Sequence, residues 1–446
     1  MKKDIQLQAK QILLNYFEAI YTLVFFFPYF FSLGPLLKTL FYPWKHIVTK
    51  KETRGFSFSE YSNRLLLNLM SSLIGASMRF SIICFCVLFE ILYILSLPII
   101  SVFYLIVILP ILLFLYAINP TEDELKEREK TAFLASHCLK KENNLQVTDW
   151  FEDRWKNNAV EKKWWDKKLL FSYPPLARDW ATGYTPMLDN YVEDLTSSVY
   201  QSEMRHIVGR KKELEQMQDI LSKTEEANIM LVGEEGVGKR TVVDALARLI
   251  YGGQTGIQLA YKRILKLNME KILTSSTDLE QRQLFFEDLL AEAVEAKSVI
   301  LLLENIDKYC SSGEGRLDLT TSIEKFVKHP AIQFIGITTP FFFQRYLFPN
   351  EKINRMFVKV DVKEISKLEA LSTLLHCIPS YEKQYSVTIP YETASAIIEK
   401  SEFYITNIPF PEKAIELLDQ TAAHYYSRFK RVKNEKIPSL LPEYIG

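Results

Sequence analysis

Residues 80–118 read FSIICFCVLFEILYILSLPIISVFYLIVILPILLFLYAI, with Glu90 as the only charged group. A soluble core rarely holds so long an uncharged run, whereas a bilayer takes a helix of ~20 apolar residues. The run is about twice that length. It predicts two membrane spans closed by a tight turn near Ser96–Pro98, with Pro110 as a kink inside the bundle. Glu90 at mid-span is costly unless paired or turned toward protein. A paired structural carboxyl and an ion path are the two readings of it.

The flanks extend this reading. Residues 11–42 form a second apolar stretch, interrupted by Glu18, Pro28, Gly34, Pro35 and Lys38. One span, a re-entrant pair and an interfacial helix all fit it. No small-residue cleavage site follows, which argues against a signal peptide. Residues 60–79 place Leu65, Leu66, Leu69, Leu73 and Ile74 at helical spacing beside Arg64 and Arg79, the pattern of a helix lying on a membrane surface. Lys45, Lys50, Lys51, Arg54 and Arg64 mark their side as cytoplasmic. A hairpin over 80–118 returns the chain to that side, so the expectation is an integral membrane region 1–119 with the remainder cytoplasmic.

From Thr121 the composition flips to TEDELKEREK, a solvated helical start that Thr121 and Glu124 can cap. Residues 120–200 then hold five of the six tryptophans: Trp150, Trp155, Trp164, Trp165 and Trp180. They predict a small helical subdomain and a structured connector; a membrane-surface or partner patch is the other reading of Trp interleaved with Lys.

The next stretch suits nucleotides. NIMLVG is a strand-like apolar run, EEGVGK a glycine-rich turn, and RTVVDALARLIY has helical spacing. Strand, loop and helix in that order are what a phosphate loop requires. Backbone N–H groups of the loop and helix start face phosphate oxygens, and Lys239 adds a point charge. The cradle comprises Gly233, Glu234, Glu235, Gly236, Val237, Gly238, Lys239, Arg240 and Thr241. SVILLLENID and IQFIGITT are further strands, alternating with helices, so a parallel α/β sheet is expected. SVILLLENID ends near Glu304, where such folds keep a Mg²⁺-holding acid. Fifty-four basic against 54 acidic residues give no global argument for a nucleic-acid partner. The cysteines and histidines show neither CxxC nor metal-ligand spacing, so no disulfide framework or zinc site is expected.

Six ordered segments resemble the first AAA+ module of the Clp-type unfoldases. HIVGRKKELEQMQDIL is similar to the entry segment, LVGEEGVGKRTVVDALA to the Walker A helix, and VILLLENID to the Walker B strand. IGITT is similar to the sensor strand, NRMF to the arginine-finger segment, and PFPEKAIELLDQT to a lid segment. The resemblance implies a P-loop AAA+ fold, with an α/β nucleotide-binding subdomain at 201–360, a helical lid at 361–432 and a tail at 433–446. It implies ATP as cofactor, with Mg²⁺ possible, and Val208 and Gly209 near the adenine. Homo- or hetero-oligomeric AAA+ rings and protein clients are the partners implied, beside membrane lipid; no nucleic acid is implied.

The departures fall on the catalytic positions. Arg240 replaces the hydroxyl residue that ligates Mg²⁺ in such sites. Thr241 lies about 100° further round the helix. Glu304 stands for the metal-associated Asp, and Asn305 for the Glu that activates water in the family. An amide can orient water but cannot take its proton. Thr338 falls on the sensor strand, and Arg355 remains of the finger pair, beside Met356. A degenerate set of Glu304, Asn305, Thr338 and Arg355, with Glu304 and Thr241 as weak Mg²⁺ ligands, is therefore expected. Aligned on Arg282, the pore-loop aromatic becomes Ser275. Together these changes favour a membrane-anchored ATP-binding pseudo-ATPase that organises a protein-remodelling complex of the chaperone kind. An active tethered unfoldase and a transporter or channel component are the alternatives.

Overall fold

The structure is a computed structural model that describes every residue except 1, 42–57, 119–121, 163–164, 172–184, 204–208, 224–225, 257, 260–261, 275–277, 297, 311–317 and 430–446. The apolar front end differs from the expected hairpin. One helix runs Phe58–Phe103, passes through a π-helical turn at Tyr104–Ile108 and continues as Leu109–Ile118. There is no turn at Ser96–Pro98, and residues 60–79 are the first part of this helix rather than a separate surface helix. Pro98 lacks an N–H and sits inside a long apolar helix, where a proline is tolerated. Pro110 follows the π-turn, in which the Leu109 N–H reaches back to the Tyr104 carbonyl, a wider step that absorbs the break.

The antiparallel partner comes from the N-terminus instead. Helix Lys2–Phe30 lies against the long helix, stacking Tyr16 on Tyr104 and packing Phe27 against Phe89 and Tyr93, and Phe31 follows it against Phe85. Tyr16 and Ser101 share a hydrogen bond of 2.9 Å. Residues 10–30 and 65–114 are each long and apolar enough to cross a membrane, by length and composition. Large side chains such as Leu95, Ile106 and Phe114 stay exposed along the second. At its C-terminal end the first helix touches the rest of the protein, where the Tyr29 hydroxyl donates to the Phe171 carbonyl at 3.0 Å.

Beyond the front end lies a six-stranded sheet: β1 Val192–Asp194, β2 Ile229–Val232, β3 Arg263–Leu267, β4 Val299–Glu304, β5 Ile332–Thr338 and β6 Val358–Asp361. Five strands run parallel in the order β3-β4-β5-β2-β6, and β1 pairs antiparallel on the β3 edge. The sheet is therefore mixed rather than purely parallel. The inner strands β2, β4 and β5 are buried on both faces, as helix-covered parallel strands must be. Leu301, Leu303 and Phe334 join the core on one face, and Leu246, Ile300 and Ile335 the core on the other.

Helices Lys367–Tyr385, Tyr391–Tyr404 and Glu412–Phe429 form the lid. Among the described residues, helices Glu122–His137 and Asn144–Lys162 do not close a core of their own. Val147 and Trp150 enter the lid core beside Leu374, Ile397 and Leu418. Glu392 fastens the joint, accepting from the Leu139 N–H at 3.1 Å, the Lys140 N–H at 2.9 Å and Asn143 Nδ2 at 2.9 Å. Burial alone would raise its carboxyl; these donors reverse that and hold it below the usual range. Trp164 and Trp180, like the tail, lie outside the described residues.

Candidate nucleotide site

The parallel register brings the ends of β2, β4 and β5 to one edge, with Val232 opposite Thr338 and Glu304 opposite Ile337. The chain leaves β2 at Gly233, whose N–H bonds the Thr338 carbonyl at 3.3 Å. A Cβ there would stand 2.4 Å from the Val362 carbonyl oxygen, so only glycine fits. Gly236 and Gly238 take φ of +86° and +88°, which L side chains adopt at a cost. Gly238 caps helix Lys239–Tyr251. Among the described residues, no protein acceptor takes the backbone N–H groups of Gly236, Gly238 or Lys239. Unpartnered amides at a helix start, two of them on glycines, fit a polyphosphate.

Lys239 holds the loop closed, donating to the Gly233 carbonyl at 2.6 Å and the Glu234 carbonyl at 2.7 Å. Burial lowers its ammonium, while Glu235, Glu234 and Glu412 oppose that. Glu234 and Glu235 are exposed, and Val237 is buried. Arg210 is a support that the sequence reading missed. It reaches the Val237 carbonyl at 2.5 Å and the Lys363 carbonyl at 2.6 Å, tying the loop to the segment after β6. Gly209 precedes it at φ +90°, whereas Val208 lies outside the described residues.

Arg240 turns toward the sheet edge and bonds Glu304 through Nη1, Asp244 through Nε at 3.0 Å and the Tyr200 hydroxyl through Nη2 at 3.1 Å. Glu193 lies 3.7 Å from Nη2. The other Glu304 oxygen faces Lys266 Nζ at 3.2 Å. Both oxygens of the acid thus meet cations. Burial alone would raise Glu304; Arg240 and then Lys266 reverse that and hold its carboxyl below the usual range. Burial alone would lower the Arg240 guanidinium; Asp244, Tyr200 and Glu304 more than reverse it, keeping the group charged. Asp244 is pushed up by burial, which Arg240 offsets only in part.

This arrangement corrects the expected metal pair. Thr241 is exposed on the loop side, its hydroxyl 3.6 Å from where a Gly238 Cβ would stand. Both Glu304 oxygens are already taken, one by Arg240 and the other by Lys266. A divalent ion bound to Glu304 would have to displace both Arg240 and Lys266 from it. The residues fit a polyphosphate and do not fit Mg²⁺. Among the described residues, no cluster of three His, Cys, Asp or Glu side chains could hold a metal.

The remaining positions separate. Asn305 is exposed with φ +52°, on the wall of a cavity of about 470 Å³ shared with Glu193, Lys266 and Lys308. Thr338 is buried and donates to Asp307 at 2.8 Å, a partner the sequence reading did not name. Arg355 stands at the opposite end of the sheet, just before β6, with its side chain 83% exposed. It cannot reach its own loop and faces outward. Ser275 lies outside the described residues.

Comparison with known proteins agrees with this geometry. Residues 229–363 match the family model of the ATPase family associated with various cellular activities (AAA), and residues 366–441 match the AAA lid domain. The chaperone protein ClpB of Oceanobacillus iheyensis is 28% identical over 261 residues, 58% of this chain and 32% of that protein. The negative regulator of genetic competence ClpC/MecB of Bacillus subtilis is 26% identical over 241 residues, 54% of this chain and 30% of that protein. The chain thus spans about a third of the length of the curated relatives it matches. The Hsp104–ADP complex of S. cerevisiae shares the fold, with a TM-score of 0.52 at 20% identity over 58% of this chain and 44% of that one. The chain carries an AAA+ ATPase module, AAA core followed by AAA lid, that resembles the Clp-type unfoldases.

Proposed function

We propose that this protein is a membrane-attached AAA+ module that holds ATP in its phosphate loop with little or no turnover and helps assemble a protein-remodelling complex. One observation carries the reading: the residue in the metal-ligating hydroxyl position, Arg240, is paired with the acid that would share that metal, Glu304. Asn305 beside them has no proton-accepting group. Losing a catalytic base alone lowers a rate by ~10²–10⁴. The cradle itself is intact, which suits holding rather than hydrolysing.

Arg355 supports assembly. Exposed at the far end of the sheet, it can serve only a neighbouring subunit's nucleotide, which fits a ring of copies or of active relatives. The exposed apolar helices support attachment to lipid, since contiguous apolar surface of this extent is unstable in water. Basic residues no longer orient the chain. Phe58 and Ile118 stand at opposite ends of the long apolar helix, and Lys126, Arg128 and Lys130 follow the latter in the sequence. The cytoplasmic placement of the module rests on its use of ATP.

The test uses the full-length chain in lipid nanodiscs. A fluorescent ATP analogue binds, Lys239→Ala weakens it at least about tenfold, and phosphate release stays at background. Turnover that Asn305→Ala abolishes would overturn the pseudo-ATPase reading in favour of an active tethered ATPase. Carbonate washing of cell membranes leaves the chain in the pellet; release into the supernatant would remove lipid from the reading.

A further inference from the structure

Arg240 and Lys266 stand in for the divalent metal, and we infer that this site takes its nucleotide without Mg²⁺. The inference rests on the ATP-holding reading and adds its cofactor requirement. In phosphate-loop proteins the metal lies between the hydroxyl after the lysine and an acid at the end of another strand of the sheet. Here those two positions are occupied by Arg240 and Glu304, and the side chains bond each other directly. The space between the two usual ligand positions is filled by a guanidinium. Lys266, one strand further out on β3, takes the second oxygen of Glu304 at 3.2 Å.

The guanidinium is locked in place. Its Nε hydrogen goes to Asp244, one Nη1 hydrogen to Glu304 and one Nη2 hydrogen to Tyr200, while Glu193 flanks Nη2 at 3.7 Å. Each Nη keeps a second hydrogen for a further acceptor. Planar N–H pairs match phosphate oxygens well, so the group that blocks the metal can also bond the phosphate the metal would have neutralised. Glu193 and Asp244 hold the cation in place against its neighbour Lys266 and keep the cluster from self-repulsion. A divalent ion entering here has to displace both cations from Glu304. Metal and nucleotide binding, coupled in ordinary sites, are uncoupled in this one.

The test measures the coupling in the full-length chain in nanodiscs, titrating a fluorescent ATP analogue in EDTA and again in millimolar Mg²⁺. In the natural protein the two Kd values agree within about twofold, a coupling near zero. Arg240→Thr frees the metal position, and Mg²⁺ then strengthens binding at least about tenfold. Arg240→Lys keeps the charge and serves as the folding control; its binding stays metal-independent. Natural protein that binds at least about tenfold tighter with Mg²⁺ overturns the inference and leaves the ATP-holding reading standing. A folded Arg240→Thr variant without metal dependence overturns the role of Arg240. Absence of binding in both buffers overturns the inference and the reading beneath it.

Discussion

Gly238 and Arg240 are two residues apart, yet the two halves of the site they belong to have diverged. Around Gly238 the backbone does the recognising: left-handed glycines, unpartnered amides and a lysine folded back on the loop's own carbonyls. Around Arg240 recognition depends on side chains, and each one that would handle metal or water has been replaced or satisfied by another. Outside Gly233, Gly236 and Gly238, a backbone cradle survives most substitutions, because amides belong to every residue but proline. A metal site is lost with a single ligand. On the proposed reading, the difference teaches how nucleotide holding can outlast hydrolysis within one loop.

The sharpest way to break the comparison is to damage the backbone half. Gly236→Val forces a β-branched residue into φ +86° and drives its Cβ into the Glu412 carboxylate of the lid. Nucleotide affinity should fall at least about 100-fold, and the melting temperature should fall with the 1–3 kcal/mol of strain such a residue stores. If the analogue still binds within about tenfold of the natural protein, the cradle is not the binding element.

A smaller effect tests the side-chain half. Asn305→Glu restores a base but leaves the metal position filled by Arg240, so phosphate release stays at background. Arg240→Thr with Asn305→Glu opens both positions, and release should then rise at least about tenfold, short of the ~10²–10⁴ that a well-placed general base supplies. Equal turnover in the single and double variants would show that Arg240 is no obstacle.

The backbone half was legible in the sequence because its signal is local. Val232 to Lys239 supplies strand, turn and helix start in a row, and β2, β4 and β5 announce themselves as continuous apolar runs. β3 and β6, RILKL and VKVD, alternate with lysine and aspartate at the sheet margins and gave no such signal. β1, only three residues long, gave no signal either. The replaced residues Arg240, Glu304 and Asn305 could be read one by one, but the Arg240–Glu304 bond could not: 64 positions separate the partners, and only the sheet register joins them. The apolar run at 80–118 shows the converse error. Its hydropathy was unambiguous, but a proline in a helix and a proline in a turn look alike, and the antiparallel partner proved to be residues 2–30. The Glu392 joint between the first soluble helices and the lid is another pairing across the chain that composition cannot show.

The smallest predicted effect concerns how the lid meets the cradle. Glu412 opens the last lid helix, and its carboxylate stands where a Gly236 side chain would be, close enough to interact with Lys239. A negative group beside a phosphate site repels its ligand, yet it is exposed, so water and salt weaken that repulsion. Glu412→Gln keeps the shape and removes the charge. Affinity for the ATP analogue should rise about threefold at low ionic strength, and the gain should shrink as salt is raised past the point where the screening length nears ~8 Å. A gain that ignores salt would mean the lid acts on the loop through packing. A loss of affinity would mean that Glu412 positions the cradle, and the backbone half would then depend on a side chain after all.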